Sequence, residues 1–282
     1  DLDARQVEFL QVLCALTKAE ILLVGDSDQA IYGFREASAR FLLDAPNVFA
    51  QHQVETLILT HNHRSAQHIV QTAKALLSPT AGPLSPCHQL TSIRPEAHPA
   101  VRWITTSSPQ TEAVRIFEEV RTLLALGIPA PEIVILVRIR AQMDALKAEA
   151  AHWGIPVYLP PLREQLEEGQ DAPEAPTDAI HLITMHQSKG CEFMVVFLAG
   201  IQEGLMPYRK AQTTESRYEE LRLLYVSVTR AKQLLWFCCH GEPSRFLIPI
   251  RKAQAAAASS RMPNGAPARS PIAVPAPPPT HF

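Results

Sequence analysis

The chain has 282 residues, enough for one large or two modest domains with their own cores, and no run of roughly 18 or more apolar residues that could span a bilayer. Lysine plus arginine number 26 against 28 aspartate plus glutamate, a formal charge of −2. That excludes a passive nucleic-acid binder of the usual basic kind, so any grip on DNA or RNA must be local. Five cysteines without metal-ligand spacing, two of them the neighbours Cys238 and Cys239 in an apolar run, read as buried reduced thiols. With no charged-then-apolar leader at its start, the expected setting is cytoplasmic. A first residue of Asp1 rather than methionine leads us to expect a piece of something longer.

In chain order, residues 4–18 carry Val7, Leu10, Leu13 and Cys14 at helical spacing and predict an amphipathic helix. It would pack on a strand at residues 21–24. That strand opens the segment around which the chain is organised, ILLVGDSDQAIYGFREA at residues 21–37. A buried strand running into a polar loop with Gln29, Tyr32, Phe34 and Arg35 is where open α/β sheets place ligands. Ser38 is expected to cap a short helix, residues 56–59 to form a strand leading into His61-Asn62-His63-Arg64-Ser65, and residues 65–77 to form a second amphipathic helix.

A proline- and serine-rich connection over 78–99 precedes strand 101–105, helix 111–126 closed by Gly127, strand 133–137, helix 141–153 closed by Gly154, and a short strand at 157–159. Residues 160–177 read as a loop or linker. Strand 180–184, the turn His186-Gln187-Ser188-Lys189-Gly190, strand 193–198, helix 215–228 and strand 234–237 complete the ordered chain. Beyond Arg251 the alanine and proline content predicts a disordered tail. Strand, polar loop and helix in repetition predict an α/β fold with a parallel sheet and helices on both faces.

Four polar segments adjoin predicted strands or helices: 25–35, 61–65, 184–192 and 219–230. Each alone fits an ordinary turn, and Arg230 alone could cap the carbonyl end of its helix. In this order, VGDSDQAIYGFREA, LTHNHRS, ITMHQSKGCEFMVVFLAGIQEGLMP and EELRLLYVSVTRAK resemble the third to sixth motifs of the UvrD/Rep-type superfamily 1 DNA helicases. GEPSRFL resembles the way the second motor domain of that family ends.

The resemblance implies a RecA-like fold in which residues 1–54 are the remnant of a first motor domain, 55–251 a second motor domain, and 252–282 a tail. It implies an ATP-dependent 3′–5′ DNA helicase or translocase with Mg²⁺ as cofactor and single-stranded DNA as partner. Gln29 would sense the γ-phosphate and orient the attacking water, while Arg64 and Arg230 would neutralise charge in the transition state. Glu192 would hold the ribose, with His63 and Gly190 completing the nucleotide-binding set. Tyr32, Phe34, Arg35 and His186 would face DNA, where base stacking is worth about 1–3 kcal/mol per base whatever the sequence.

The departures carry their own expectations. His63 stands where the family usually has a tyrosine, Phe34 where many members have tryptophan, and Cys191 where leucine is common. No G-x4-G-K-[ST] phosphate loop and no Asp-Glu pair occur, so the chain alone is expected not to hydrolyse ATP and to need a missing N-terminal motor half. Only residues 160–177 occupy the place where many relatives insert an accessory domain. The rival reading is a non-catalytic DNA-binding or partner-interaction module, and the tail could contact a protein partner.

Overall fold

A computed structural model describes residues 2–31, 40–50, 53–79, 89–94, 100–161 and 175–260. Helix α1 (Ala4–Thr17) begins at a reciprocal cap in which the Asp3 carboxylate accepts from Gln6 N and the Gln6 side chain accepts from Asp3 N. A 3₁₀ turn (Ser27–Gln29) and the short helices α2 (Arg40–Leu43) and α3 (Ala45–Val48) follow, packed around Val7, Ala45 and Phe49. Strand β1 (His61–Asn62) pairs in parallel with β2 (Thr91–Ser92), and α4 (Gln67–Leu77) lies between them.

The main body is a parallel six-stranded sheet in the order β3-β8-β7-β4-β6-β5. Its strands are β3 (Val101–Thr105), β4 (Ile133–Val137), β5 (Val157–Tyr158), β6 (Ile180–Thr184), β7 (Phe193–Leu198) and β8 (Ala231–Cys239). Helices α5 (Pro109–Ala125) and α6 (Met143–Trp153) cover one face, α4 and α7 (Thr214–Val228) the other. The period of two along the central strands assigns each side chain to its layer. Val134, Leu136, Val196, Leu198, Leu235 and Phe237 join the α4/α7 core; Ile133, Ile135, Val195, Phe197, Trp236 and Cys238 join the α5/α6 core. Buried on both sides, these strands read as continuous apolar runs. Each fully buried aliphatic or aromatic side chain contributes about 1.5–3 kcal/mol.

Two predicted strands do not form. Residues 21–24 and 56–59 carry no strand, with Leu22, Val24, Leu57 and Leu59 between 78% and 86% exposed. Their β propensity favours an extended chain, but a strand exists only where a neighbour accepts its backbone hydrogen bonds. The order begins instead at β1, where Thr91 N and Ile93 N donate to the carbonyls of Thr60 and Asn62. The first part of the stretch read as tail is helical. Helix α8 (Ile248–Ser260) runs into it, carried by an alanine run of high helix propensity and anchored by Ile250, which is fully buried. Strand β8 is longer than predicted at both ends. Among the described residues, no helix is long and apolar enough to cross a membrane.

Candidate functional site

Strand direction gives the sheet two chemically different edges. The short connection from β6 to β7, residues 185–192, crosses the strand β4 without a helix, running back from the carboxyl edge to the amino edge. Ser188, fully buried, holds it compact by donating its Oγ to Met185 O at 2.7 Å and accepting Cys191 N at 3.0 Å on its carbonyl. Gly190, at φ +89°, makes the final bend that brings Glu192 to the start of β7. Helix α7, between the neighbouring strands β7 and β8, likewise runs back from the carboxyl edge to the amino edge, from Thr213 to Arg230. Its start is fixed by Thr213 and Ser216 capping each other's backbone N–H, both at 3.1 Å.

At the amino edge the structure gathers Gln29, Arg64, Glu192 and Arg230, residues up to 201 positions apart. Arg230 is 3% exposed. Its Nε donates to Val226 O at 2.9 Å, one terminal nitrogen to Cys191 O at 3.1 Å, and the other to Gln29 Oε1 at 3.1 Å and Thr229 Oγ1 at 3.2 Å. Among the described residues, every acceptor of this guanidinium is neutral. Burial, then the charge of Arg64, pushes its pKa down to about 10, which still leaves it a cation at neutral pH.

The 3₁₀ turn is clamped to this arginine from both sides. Asp26 Oδ2 accepts from Gln29 Nε2 at 2.8 Å, fixing the amide so that its oxygen faces Arg230. Lys189 Nζ donates to Gln29 O at 2.9 Å. Burial, and then Arg230, lowers the Lys189 pKa, so both cations press on one small polar turn. Ile31, 3% exposed, continues the contact into the α4/α7 core.

Arg64 reaches the cluster because the start of β8 holds its turn. Asn62 Oδ1 accepts from Arg64 N at 3.0 Å and Ser65 N at 2.8 Å, Ser65 Oγ donates to Ala231 O at 2.7 Å, and Ala66 N donates to Lys232 O at 2.8 Å. Arg64 donates through Nε to Glu192 Oε2 at 2.7 Å and through a terminal nitrogen to Thr229 O at 3.3 Å. The Arg64 hydrogen bond, followed by its charge and by Lys232, holds the Glu192 carboxyl below its usual range against a smaller burial cost. His63 lies exposed beside Arg64, its carbonyl accepting from Arg94 Nε at 2.7 Å.

His186 is not part of this cluster. It sits at the carboxyl edge, where Met185 N donates to Val137 O and the chain after β4 presents Arg138. Arg138 binds Glu220 of α7 through Nε and a terminal nitrogen, at 2.5–3.1 Å, and its Cζ lies 5.2 Å from the centre of the Tyr208 ring. Tyr208 N also donates to Glu220 Oε2 at 2.9 Å. Burial first, then the Arg138 charge, pushes the His186 pKa down to about 4 despite Glu220, so its ring is neutral at pH 7. Tyr32, Phe34 and Arg35 lie outside the described residues.

Sequence reasoning missed Arg138, Glu220 and Tyr208 at one edge, and Asp26, Lys232 and the structural use of Lys189 at the other. The position of Arg138, directly after a fully apolar strand, was the signal that could have found it. Nothing local marks Glu220, Tyr208, Lys189 and Lys232, whose contacts lie 12 to 166 residues away, and Asp26 reads as an ordinary turn residue three positions before Gln29.

Residues 1–50 match the UvrD/REP helicase N-terminal domain and residues 162–242 the UvrD-like helicase C-terminal domain. A probable DNA helicase of Mycoplasma pneumoniae is 30% identical, spanning 89% of this chain and 46% of that protein. The ATP-dependent DNA helicase UvrD2 of Mycobacterium tuberculosis is 25% identical across 89% of this chain and 49% of its own length. The ATP-dependent DNA helicase Rep of Escherichia coli is 37% identical over 32% of the chain and 15% of Rep. A solved C-terminal domain of a possible DNA helicase from Lactobacillus plantarum superposes with a TM-score of 0.46 at 18% identity, covering 68% of this chain and 96% of that one. The chain spans about half the length of the first two relatives. Carrying in order a match to the N-terminal and a match to the C-terminal domain, the chain belongs to the UvrD/Rep helicase family.

Proposed function

We propose that this chain is the γ-phosphate-sensing and DNA-contacting part of an ATP-dependent DNA translocase that moves 3′ to 5′, its first 54 residues belonging to one motor domain and residues 55–251 to the second. The observation that carries this reading is Arg230, a buried cation whose described partners are all neutral and one of which is Gln29 of the other motor domain. Desolvating a charge costs several kcal/mol unless a counter-charge arrives, and a transferring phosphoryl group is such an anion. Arg64, which donates to Thr229 O next to Arg230, adds a second cation from the same motor domain. Gln29, whose amide orientation Asp26 fixes, is poised to align water or the γ-phosphate.

Magnesium, when bound with ATP, would supply positive charge to the phosphate group. Among the described residues no group of three or more His, Cys, Asp or Glu could hold such an ion. This chain's contribution is then positioning and charge: Arg230 and Arg64 stabilise the phosphoryl group, Glu192 orients the ribose, and Gly190 lets the chain turn between them. His63 replaces an aromatic phenol beside the base with a weaker stacking surface. At the other edge, the neutral His186 offers a ring and a hydrogen bond rather than a phosphate counter-ion, and we assign it to DNA contact in the same functional set as Tyr32, Phe34 and Arg35. Residues 185–192 and α7 physically join the two edges.

The test uses the longer protein that contains this chain. Arg230→Ala is expected to lower DNA-stimulated ATP turnover by about 10³–10⁵ while nucleotide binding persists. Turnover within a few-fold of the unsubstituted protein would remove the assignment, and an upstream region without a phosphate loop would favour a non-catalytic DNA-binding module.

A further inference from the structure

We infer that Lys232 is a positioning residue for Glu192, holding one carboxylate oxygen so that the other is presented to the ribose and the site discriminates between nucleotides by their sugar hydroxyls. This deepens the proposed nucleotide site and rests on that reading. Lys232 is the second residue of β8, which lies beside β7, with β4 on the far side of β7. Its Nζ lies 3.3 Å from Glu192 Oε1 and 3.5 Å from Glu132 Oε2. Glu132 is itself anchored, accepting Met194 N at 2.8 Å. The ammonium therefore ties together the entries to three neighbouring strands, and its backbone carbonyl holds Ala66 at the start of α4.

The division of labour on Glu192 follows from this geometry. Oε1 belongs to Lys232 and Oε2 to Arg64. Lys232 is 21% exposed and Glu192 45%, so the lysine covers the protein side of the carboxylate and leaves its outer side open. Arg64 is the partner assigned to phosphate. Engaging phosphate draws its guanidinium toward a stronger anion and weakens its hold on Oε2. Lys232 then keeps the carboxylate in place while Oε2 accepts from a hydroxyl. Without it, Glu192 would swing with Arg64, and a flexible, solvated carboxylate discriminates poorly between a hydroxyl and a hydrogen. The lysine was not singled out in the sequence because at the end of Thr229-Arg230-Ala231-Lys232 it reads as an ordinary solvated charge.

The experiment compares kcat/KM for ATP and for 2′,3′-dideoxy-ATP in the longer protein that contains this chain. Lys232→Met keeps the length of the side chain and removes the charge. It is expected to reduce the preference for ATP by about three- to tenfold, chiefly through KM for ATP, while Lys232→Arg keeps the preference within about twofold. Thermal unfolding of each variant reports whether the fold is intact, and a lysine of purely structural value would alter melting without altering the sugar preference. Retention of the full preference in Lys232→Met, with its loss in Glu192→Gln, would overturn the role of Lys232 and leave the ribose role of Glu192 standing. An unchanged preference in Glu192→Gln would overturn the ribose role and Lys232 with it. Absence of ATP turnover in the unsubstituted protein would overturn the underlying function and this inference together.

Discussion

Protonating His186 should cost the fold stability over a pH range in which carboxylates are still ionised. The ring is held neutral, its pKa displaced from 6.5 to about 4 chiefly by burial and secondly by Arg138. An unfolded chain takes up a proton at this histidine near pH 6.5; the folded chain resists until about pH 4. Between those values the unfolded state binds more protons, so stability falls as pH falls. At about 1.36 kcal/mol per pH unit the full displacement corresponds to about 3 kcal/mol, of which about 2 kcal/mol is already lost at about pH 5. The depressed carboxyls of Glu192 and Glu203 act in the same direction, but only below their ordinary value of 4.5, so a comparison between about pH 7.5 and pH 5 excludes them. His181 is also lowered and contributes within this window. The measurement is therefore a difference: urea unfolding of the chain and of His186→Gln at both pH values. The variant should lose about 2 kcal/mol less than the parent between them. Equal losses would refute the reasoning, because the ring would then titrate normally in the fold.

Further expectations concern the elements that hold the two edges. Arg138→Ala strands the Glu220 carboxylate, whose side chain is 8% exposed, and should cost about 3–5 kcal/mol in chemical unfolding. Much of that should return in Arg138→Ala with Glu220→Leu; a loss under about 1 kcal/mol in the single variant would show the pair to be solvated. Gly200, at φ +70°, would place a Cβ inside contact distance of Gln142 Nε2, while Gln142 Oε1 accepts from Arg138 N and Ile139 N. Gly200→Ala should therefore cost about 2–4 kcal/mol by unfolding, and only about 1–2 kcal/mol in a Gln142→Ala background, where backbone strain and a milder contact with Leu205 Cδ1 remain.

Much of the six-stranded sheet and its flanking helices was legible because these strands and helices obey local rules. Ile133–Val137, Ile180–Thr184 and Phe193–Leu198 are unbroken apolar runs bounded by polar turns, and each proved to be a strand with those limits. Gly154 closes its helix at φ +63° as its position predicts. Residues 21–24 and 56–59 carry the same signal and fail, because a pattern of β-prone residues specifies conformation but not the presence of a partner edge.

The sequence by itself determined the residue types, their order and the fold class, since burial periodicity and motif spacing are local properties of the chain. Only the tertiary structure decided which of those residues share a surface. It separated His186 from Arg230, 44 positions on, by sending one to each end of the parallel strands, and it brought Gln29 within 3.1 Å of Arg230 across 201 positions. The physical reason is that charge pairing and desolvation depend on distance through space, which a parallel sheet sets by the direction of its strands and by the elements that cross back over them.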